Sequence, residues 1–415
     1  MKTCDEERSM KKKNQPQKTE SDGRLLFVLV GAVILAAILV AVIVLTTPDN
    51  LKSTDTIRIG AIYNLNGSQS SLDIPSAQGA RLAAWEVNER GGIHGRNINL
   101  ILYDGRTNTT EIAAAASRLI NEDHVQVLIG MSDSDMVLPA AQVAAKSGVV
   151  FVTSGATSPL LPAQVPGYLY LSCFADNTQA AAAAEFAESD LHATTAAVIT
   201  DRSMEYTRLL SRYFTERFTT GGGNITSSVL YEGGAATYSS ASIKSGIGTT
   251  HPDVVFVACG PADCGAVIRA VREAGITAPI IGGDSLDSPQ LAGTIGPGAD
   301  QVYYTTHADI STSSNDKAVT AFIKRYYTEF GEEPNAFSAL GYDAVNVVAQ
   351  AMTASPSSAD LREGLSAVQG YDGLTGTISY RNQSQVPDKS VTLMEIKNGT
   401  VVAIGERMPR LVPAP

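Results

Sequence analysis

From residue 55 onward, apolar positions fall into two alternating kinds of run. Short continuous runs have the length of strands: "TIRIGAIY" (56–63), "NINLILYD" (97–104), "VQVLIG" (125–130) and "VVFVTS" (149–154). Between them, residues 75–90, 109–121 and 135–147 read as helices, and Gly91-Gly92 stops the first of these. Strands that are apolar throughout and separated by helices predict a parallel sheet covered on both faces. A second series repeats the pattern, with strands at 195–200, 225–231, 253–259 and 279–282 and helices near 203–220, 238–248 and 262–274. Two such series imply two α/β lobes rather than one very wide sheet. Helices near 316–330, 336–353 and 358–367, then a β-rich stretch at 373–405, do not extend the second lobe simply. The chain is therefore expected to cross between lobes more than once.

The start of the chain differs. Residues 1–24 are polar and carry seven Lys or Arg, and residues 25–46, "LLFVLVGAVILAAILVAVIVLT", carry no charge. At 1.5 Å per residue this run spans roughly 33 Å, about the thickness of a bilayer core. It is longer than a usual signal-peptide core, no small-x-small cleavage site follows, and no Cys follows to carry a lipid. It reads as an uncleaved transmembrane anchor, with 47–54 as a linker. Basic residues cluster before it, so the positive-inside rule leaves 1–24 cytoplasmic and the remainder outside the cell. Five N-x-S/T sequons, at Asn66, Asn108, Asn224, Asn382 and Asn398, agree with that side. Asn108 also fits a helix cap, with Glu111 three residues on.

A net charge of −11 argues against a nucleic-acid surface. Three of the four cysteines, Cys173, Cys259 and Cys264, follow the apolar run. Cys259 and Cys264 are close enough to pair; the other reading has Cys259 ending a buried strand as a small apolar residue. Three Cys at this spacing and five His make no metal signature. No nucleophile–base pair, phosphate loop or cofactor motif emerges, so no catalytic residue and no cofactor is expected.

One stretch raises a sharper question. "FVTSGATSPLL" (151–161) leaves a strand into small, uncharged residues only. Either it is an ordinary Ser/Thr turn, or something approaches the backbone closely there. Three segments in order then carry a resemblance: "GARLAAWEVNERGGIHGRNINLILYD", "LIGMSDSDMVLPAAQVAAKSGVVFVTSGATSPLL" and "FIKRYYTEFGEEPNAFSALGYDAVNVVAQAM". Together they resemble type I periplasmic binding proteins, in particular the branched-chain amino acid-binding proteins of ABC transporters. The resemblance covers about 55–405. It implies two Rossmann-like lobes joined by three crossovers, the first at 55–174 with 307–372 and the second at 175–306 with 373–415, with ligand held in the cleft between them. Independently, ligands in open α/β sheets sit beyond the carboxyl ends of strands. Here that means the loops 63–74, 130–135, 153–159, 200–206, 259–263 and 282–288.

The resemblance assigns roles. Ala156 and Thr157 match contact positions for the ligand's α-carboxylate and α-ammonium, and Ser134 matches a carboxylate-binding hydroxyl. Asp284 matches an acidic partner of the ammonium; its residue-level alternative is a helix cap after Gly282-Gly283. Tyr206 matches an aromatic covering the ligand from the second lobe, at a spacing one residue longer. Leu72 and Gly260-Pro261 replace aromatics, which suits a differently shaped pocket. The function implied is a membrane-tethered extracellular receptor that hands an amino acid-like ligand to an ABC permease. The alternative is a sensor reporting to a separate signalling partner, because 1–24 is too short for a signalling domain.

Overall fold

The computed structural model describes residues 56–234, 239–288, 290–354, 361–381 and 384–415. The expected membrane segment 25–46 lies outside the described residues, and among those described no helix is long and apolar enough to cross a membrane.

Five parallel strands build the first sheet: β1 (Ile57–Tyr63), β2 (Ile98–Asp104), β3 (Val127–Gly130), β4 (Val150–Thr153) and β5 (Leu169–Leu171), in the order β2-β1-β3-β4-β5. β3 and β4 are buried along their whole length, as continuous apolar runs require. Helices cover both faces and close two separate cores, one with Ile59 and Ile129, the other with Ile62 and Leu128. The second sheet has β6 (Thr195–Asp201), β7 (Asn224–Tyr231), β8 (Val254–Ala258), β9 (Ile280–Gly282) and β10 (Val302–Thr306). After a small hairpin of β11 (Tyr371–Gly373) and β12 (Gly376–Ile378), it gains β13 (Val391–Lys397) and β14 (Thr400–Arg407), antiparallel additions at one edge. Its order is β14-β13-β10-β9-β8-β6-β7. The two-lobed α/β architecture is thus present.

Local differences from the sequence pattern have physical causes. The helix expected from 75 starts at Ser70 and runs to Glu89 with Pro75 inside. Its first turn is held by Asp73, whose carboxylate accepts from the Asn64 and Ser132 N–H groups. The helix Asp176–Ser189 and the strands β5 and β10 were not picked out from the pattern. That helix is Ala-rich and buried on nearly every side, so it has no polar face to betray its period. The stretch divided at 372/373 in the sequence stays together: Ile378 and Tyr380 join the first lobe's core with Tyr371 packed against it. Asn108 is a cap, its Oδ1 accepting from the Thr110 and Glu111 N–H groups. Cys259 and Cys264 form a disulfide, with Cα atoms 5.2 Å apart.

Segments that leave one sheet for the other run side by side. Leu171 N–H donates to Gln385 O at 2.9 Å, Tyr380 O–H to Leu171 O at 2.8 Å, and Lys389 Nζ to Ser172 O at 3.0 Å. Lys389 is buried, and desolvation lowers its ammonium to about 8 despite the nearby Asp343 carboxylate. In the first lobe the helix Ala336–Ala354 lies directly on Ser70–Glu89: a Cβ on Gly79 would sit 1.8 Å from Ser338 O, and one on Gly341 1.9 Å from Ser76 O. Two glycines let these backbones touch, and that approach brings Phe337 to the mouth of the cleft.

Candidate ligand cleft between the lobes

A narrow cavity opens at the carboxyl ends of both sheets. Each of the six loops expected from the sequence contributes to it. Gln69, Leu72, Ser132, Asp133, Ser134 and Thr157 face it from the first lobe; Met204, Tyr206, Pro261, Asp284 and Ser285 face it from the second. Phe337 adds an aromatic wall from the helix Ala336–Ala354.

Of the six residues singled out in the sequence, Leu72, Ser134, Thr157, Tyr206 and Asp284 line this cavity together. Ala156 does not. It is fully buried in the first lobe's core, its N–H donates to Thr153 Oγ1 at 3.2 Å, and its carbonyl accepts from Cys173 Sγ at 3.3 Å. A larger residue there would overpack the core as well as crowd the turn. Thr157 and Ser158 direct their N–H groups at Ser134 Oγ, at 3.2 and 3.0 Å. With its oxygen accepting from both N–H groups, the Ser134 hydroxyl, at the start of the helix Ser134–Lys146, is left to donate its own proton, which suits an anion.

Asp284 anchors the opposite wall. It follows β9 in a short 3-10 turn, and its carboxylate does not cap that turn. Oδ1 accepts from Gln179 Nε2 at 3.0 Å and from the Tyr206 O–H at 2.8 Å; Oδ2 lies 3.0 Å from His307 Nε2. Burial lowers the His307 imidazole below its ordinary range even though the neighbouring Asp284 favours its charged form. The neutral ring then carries its proton on Nε2, facing the carboxylate. Gly283 makes room for this arrangement, since a Cβ there would meet the Tyr206 hydroxyl at 2.5 Å. Three of the roughly four acceptor positions on the carboxylate are used, which leaves one for a donor in the cavity.

The lobes also touch at the cleft's rim. The helix Glu205–Thr220 has no side-chain cap of its own. Asp135, across the cleft, supplies one: its carboxylate accepts from the Glu205 N–H at 2.9 and 3.0 Å and from the Tyr206 N–H at 3.3 Å. A carboxylate at a helix N-terminus from another lobe is a favourable closing contact.

Several of these residues escaped the sequence reading. Gln69, Ser132, Asp133 and Ser285 stand in the expected loops but look like ordinary turn residues. Gln179 and Phe337 lie on helices, and His307 directly follows β10, a strand the hydrophobic pattern does not mark. Among the described residues no cluster of His, Cys, Asp and Glu could hold a metal ion.

Comparison with known proteins agrees with this geometry. A family model for periplasmic binding proteins matches residues 56–400. The Leu/Ile/Val-binding protein homolog 1 of Brucella suis is 26% identical over 73% of this chain and 79% of its own length. Among solved structures, a leucine-binding protein from Thermotoga maritima shares 29% identity with a TM-score of 0.77, covering 85% of this chain and 99% of that one. A branched-chain amino acid transporter substrate-binding protein from Streptococcus pneumoniae, in complex with isoleucine, shares 25% identity with a TM-score of 0.78, covering 86% and 100%. With a family model spanning most of its length and a two-lobed cleft of this construction, the chain belongs to the periplasmic binding protein family.

Proposed function

We propose that this chain is the extracellular solute receptor of an ABC importer, closing two lobes around an amino acid. One observation carries the reading: Ser134 and Thr157 of the first lobe line one cavity together with a buried carboxylate, Asp284, of the second. A zwitterion has complementary charges for both walls, and its capture joins two lobes that otherwise meet through few contacts. The relatives named for leucine, isoleucine and valine binding point to the same ligand class. In this reading the first lobe comprises 55–174 with 307 to about 380, and the second lobe takes the rest. The partners are the permease subunits.

The direct test is a thermal-unfolding screen with the twenty amino acids. At 100 times its dissociation constant, a true ligand stabilises the folded state by about 2.7 kcal/mol, which raises the unfolding temperature visibly. The absence of a shift with every amino acid at millimolar concentration would overturn the reading.

The tether rests on the uncharged run 25–46 and the basic residues before it. After expression in its host, the full chain should fractionate with membranes and keep its N-terminal Met1 or Lys2. A soluble product beginning near residue 48 would show cleavage instead.

A further inference from the structure

The cavity lining includes two carboxylates, Asp133 and Asp284, and no Lys or Arg. Asp284 is accounted for by its hydrogen bonds and the proposed ammonium. Asp133 is not. It caps the helix Ser134–Lys146 through Oδ1, which accepts from the Asp135 N–H at 3.0 Å. Its second oxygen, Oδ2, is buried and has no hydrogen-bond partner among the described residues. The residue as a whole is only 5% exposed. Gln69 repeats the pattern from the neighbouring loop: it is 5% exposed, lines the same cavity, and its Oε1 has no partner among the described residues. Gln69 Oε1 is an acceptor only, and Asp133 Oδ2 is an acceptor whenever the carboxyl is ionised. Acceptors buried without donors are costly to keep, so a binding site that retains two of them is shaped for donors from the ligand.

Burial, with the nearby Asp135 charge, pushes the Asp133 carboxyl up to about 7. A donor arriving at Oδ2 would relieve that penalty. Of the remaining walls, Leu72, Met204, Pro261 and Phe337 are apolar and offer contact to carbon, while Ser132, whose buried Oγ also has no partner among the described residues, can donate or accept beside Asp133. Ser134, Thr157 and Asp284 are already taken by the carboxylate and ammonium common to every amino acid. What is left for Gln69 and Asp133 is the side chain.

We propose that Gln69 and Asp133 form a subsite for a nitrogen donor, so that the ligand is an amino acid with a short side chain ending in an amide or cationic N–H group. This rests on the amino-acid reading above. It sets the chain apart from relatives named for aliphatic ligands, and the difference lies in residues of the first lobe.

Isosteric pairs test it, measured by titration calorimetry on the full chain. L-2,4-diaminobutyrate and L-norvaline have side chains of the same length and differ in a terminal ammonium against a methyl. L-asparagine and L-leucine have side chains of the same shape and differ in an amide against two methyls. In at least one pair the nitrogen-bearing member should bind at least tenfold more tightly, because a site built for a donor rejects the analogue lacking it. A gain for diaminobutyrate marks a cationic ligand, and a gain for asparagine an amide. That preference should shrink at least tenfold in Asp133→Asn, which keeps the Oδ1 cap, or in Gln69→Met, which keeps the side chain's length. Circular dichroism confirms that both variants fold. Equal or tighter binding of both leucine and norvaline overturns the proposal and makes this an aliphatic pocket. If neither these four nor any of the twenty amino acids binds the folded protein, the amino-acid reading itself falls, and the subsite with it.

Discussion

Asp284→Asn should cost roughly two to four decades of affinity for an amino acid ligand while leaving the protein folded. Its carboxylate is 3% exposed, so an ammonium bound to it is desolvated. Removing one partner of a buried ion pair costs about 3–5 kcal/mol, which corresponds to that range. The fold survives because the hydrogen-bond network can adapt. An amide oxygen in the Oδ1 position still accepts from Gln179 and Tyr206. The amide nitrogen then faces His307 Nε2, and the ring can move its proton to Nδ1, which has no other partner among the described residues. Calorimetric titration of wild type and variant with the ligand found in the thermal screen checks the affinity. A change under threefold would make Asp284 a structural hub for Gln179, Tyr206 and His307, with the ammonium bound elsewhere.

Asp73→Ala should destabilise the protein by about 2–6 kcal/mol at pH 5, and by less at pH 8. The carboxylate is fully buried and serves two backbone groups, Asn64 N–H at 2.7 Å and Ser132 N–H at 2.9 Å. Leaving a buried donor unpaired costs about 1–3 kcal/mol, and two are orphaned here. The pH dependence follows from the carboxyl's own titration. Burial raises it to about 6 from an ordinary 3.8, outweighing the hydrogen bonds that favour its charged form. A raised acid contributes stability that is complete below its unfolded value near 4 and is lost as pH rises through 6. The wild type therefore gains more from Asp73 at pH 5 than at pH 8, and the variant's deficit shrinks as pH rises. Urea unfolding at the two pH values measures both. A deficit under about 1 kcal/mol at pH 5 would mean that the two N–H groups find other partners. Because Ser132 begins the run that carries Asp133 and Ser134, the variant should also weaken ligand binding.

Much of the cleft was legible in the sequence because the information is local. Continuous apolar runs of four to seven residues separated by helical stretches define parallel strands, and the loops at strand ends follow from the order alone. Those six loops do surround the cavity. Ser134 and Thr157 were assigned through the resemblance rather than from local pattern, which by itself allowed an ordinary Ser/Thr turn. Ala156 shows where local reasoning stops. Adjacent residues in a turn point in different directions, so Thr157 meets the cavity while Ala156 enters the core.

What only the tertiary structure decided depends on residues far apart in the chain. Whether Asp284 caps a helix or faces the cleft was settled by Gln179, Tyr206 and His307, which reach it across separations of 105, 78 and 23 positions. Sequence pattern carries no record of such encounters, since each partner answers to its own local period. The same holds for Asp135 capping a helix of the other lobe, for Phe337 arriving through the close approach of Gly79 to Ser338 and of Gly341 to Ser76, and for the buried oxygens of Gln69 and Asp133. By itself the sequence determined most of the strands and helices of the two sheets and the loops at their ends, though not the helix Asp176–Ser189 or strands β5 and β10, because hydrophobic period and turn chemistry act over a few residues. The tertiary structure decided which polar atoms in those loops are paired and which are left without a partner among the described residues, because hydrogen bonding and desolvation depend on neighbours that only the packing of both lobes supplies.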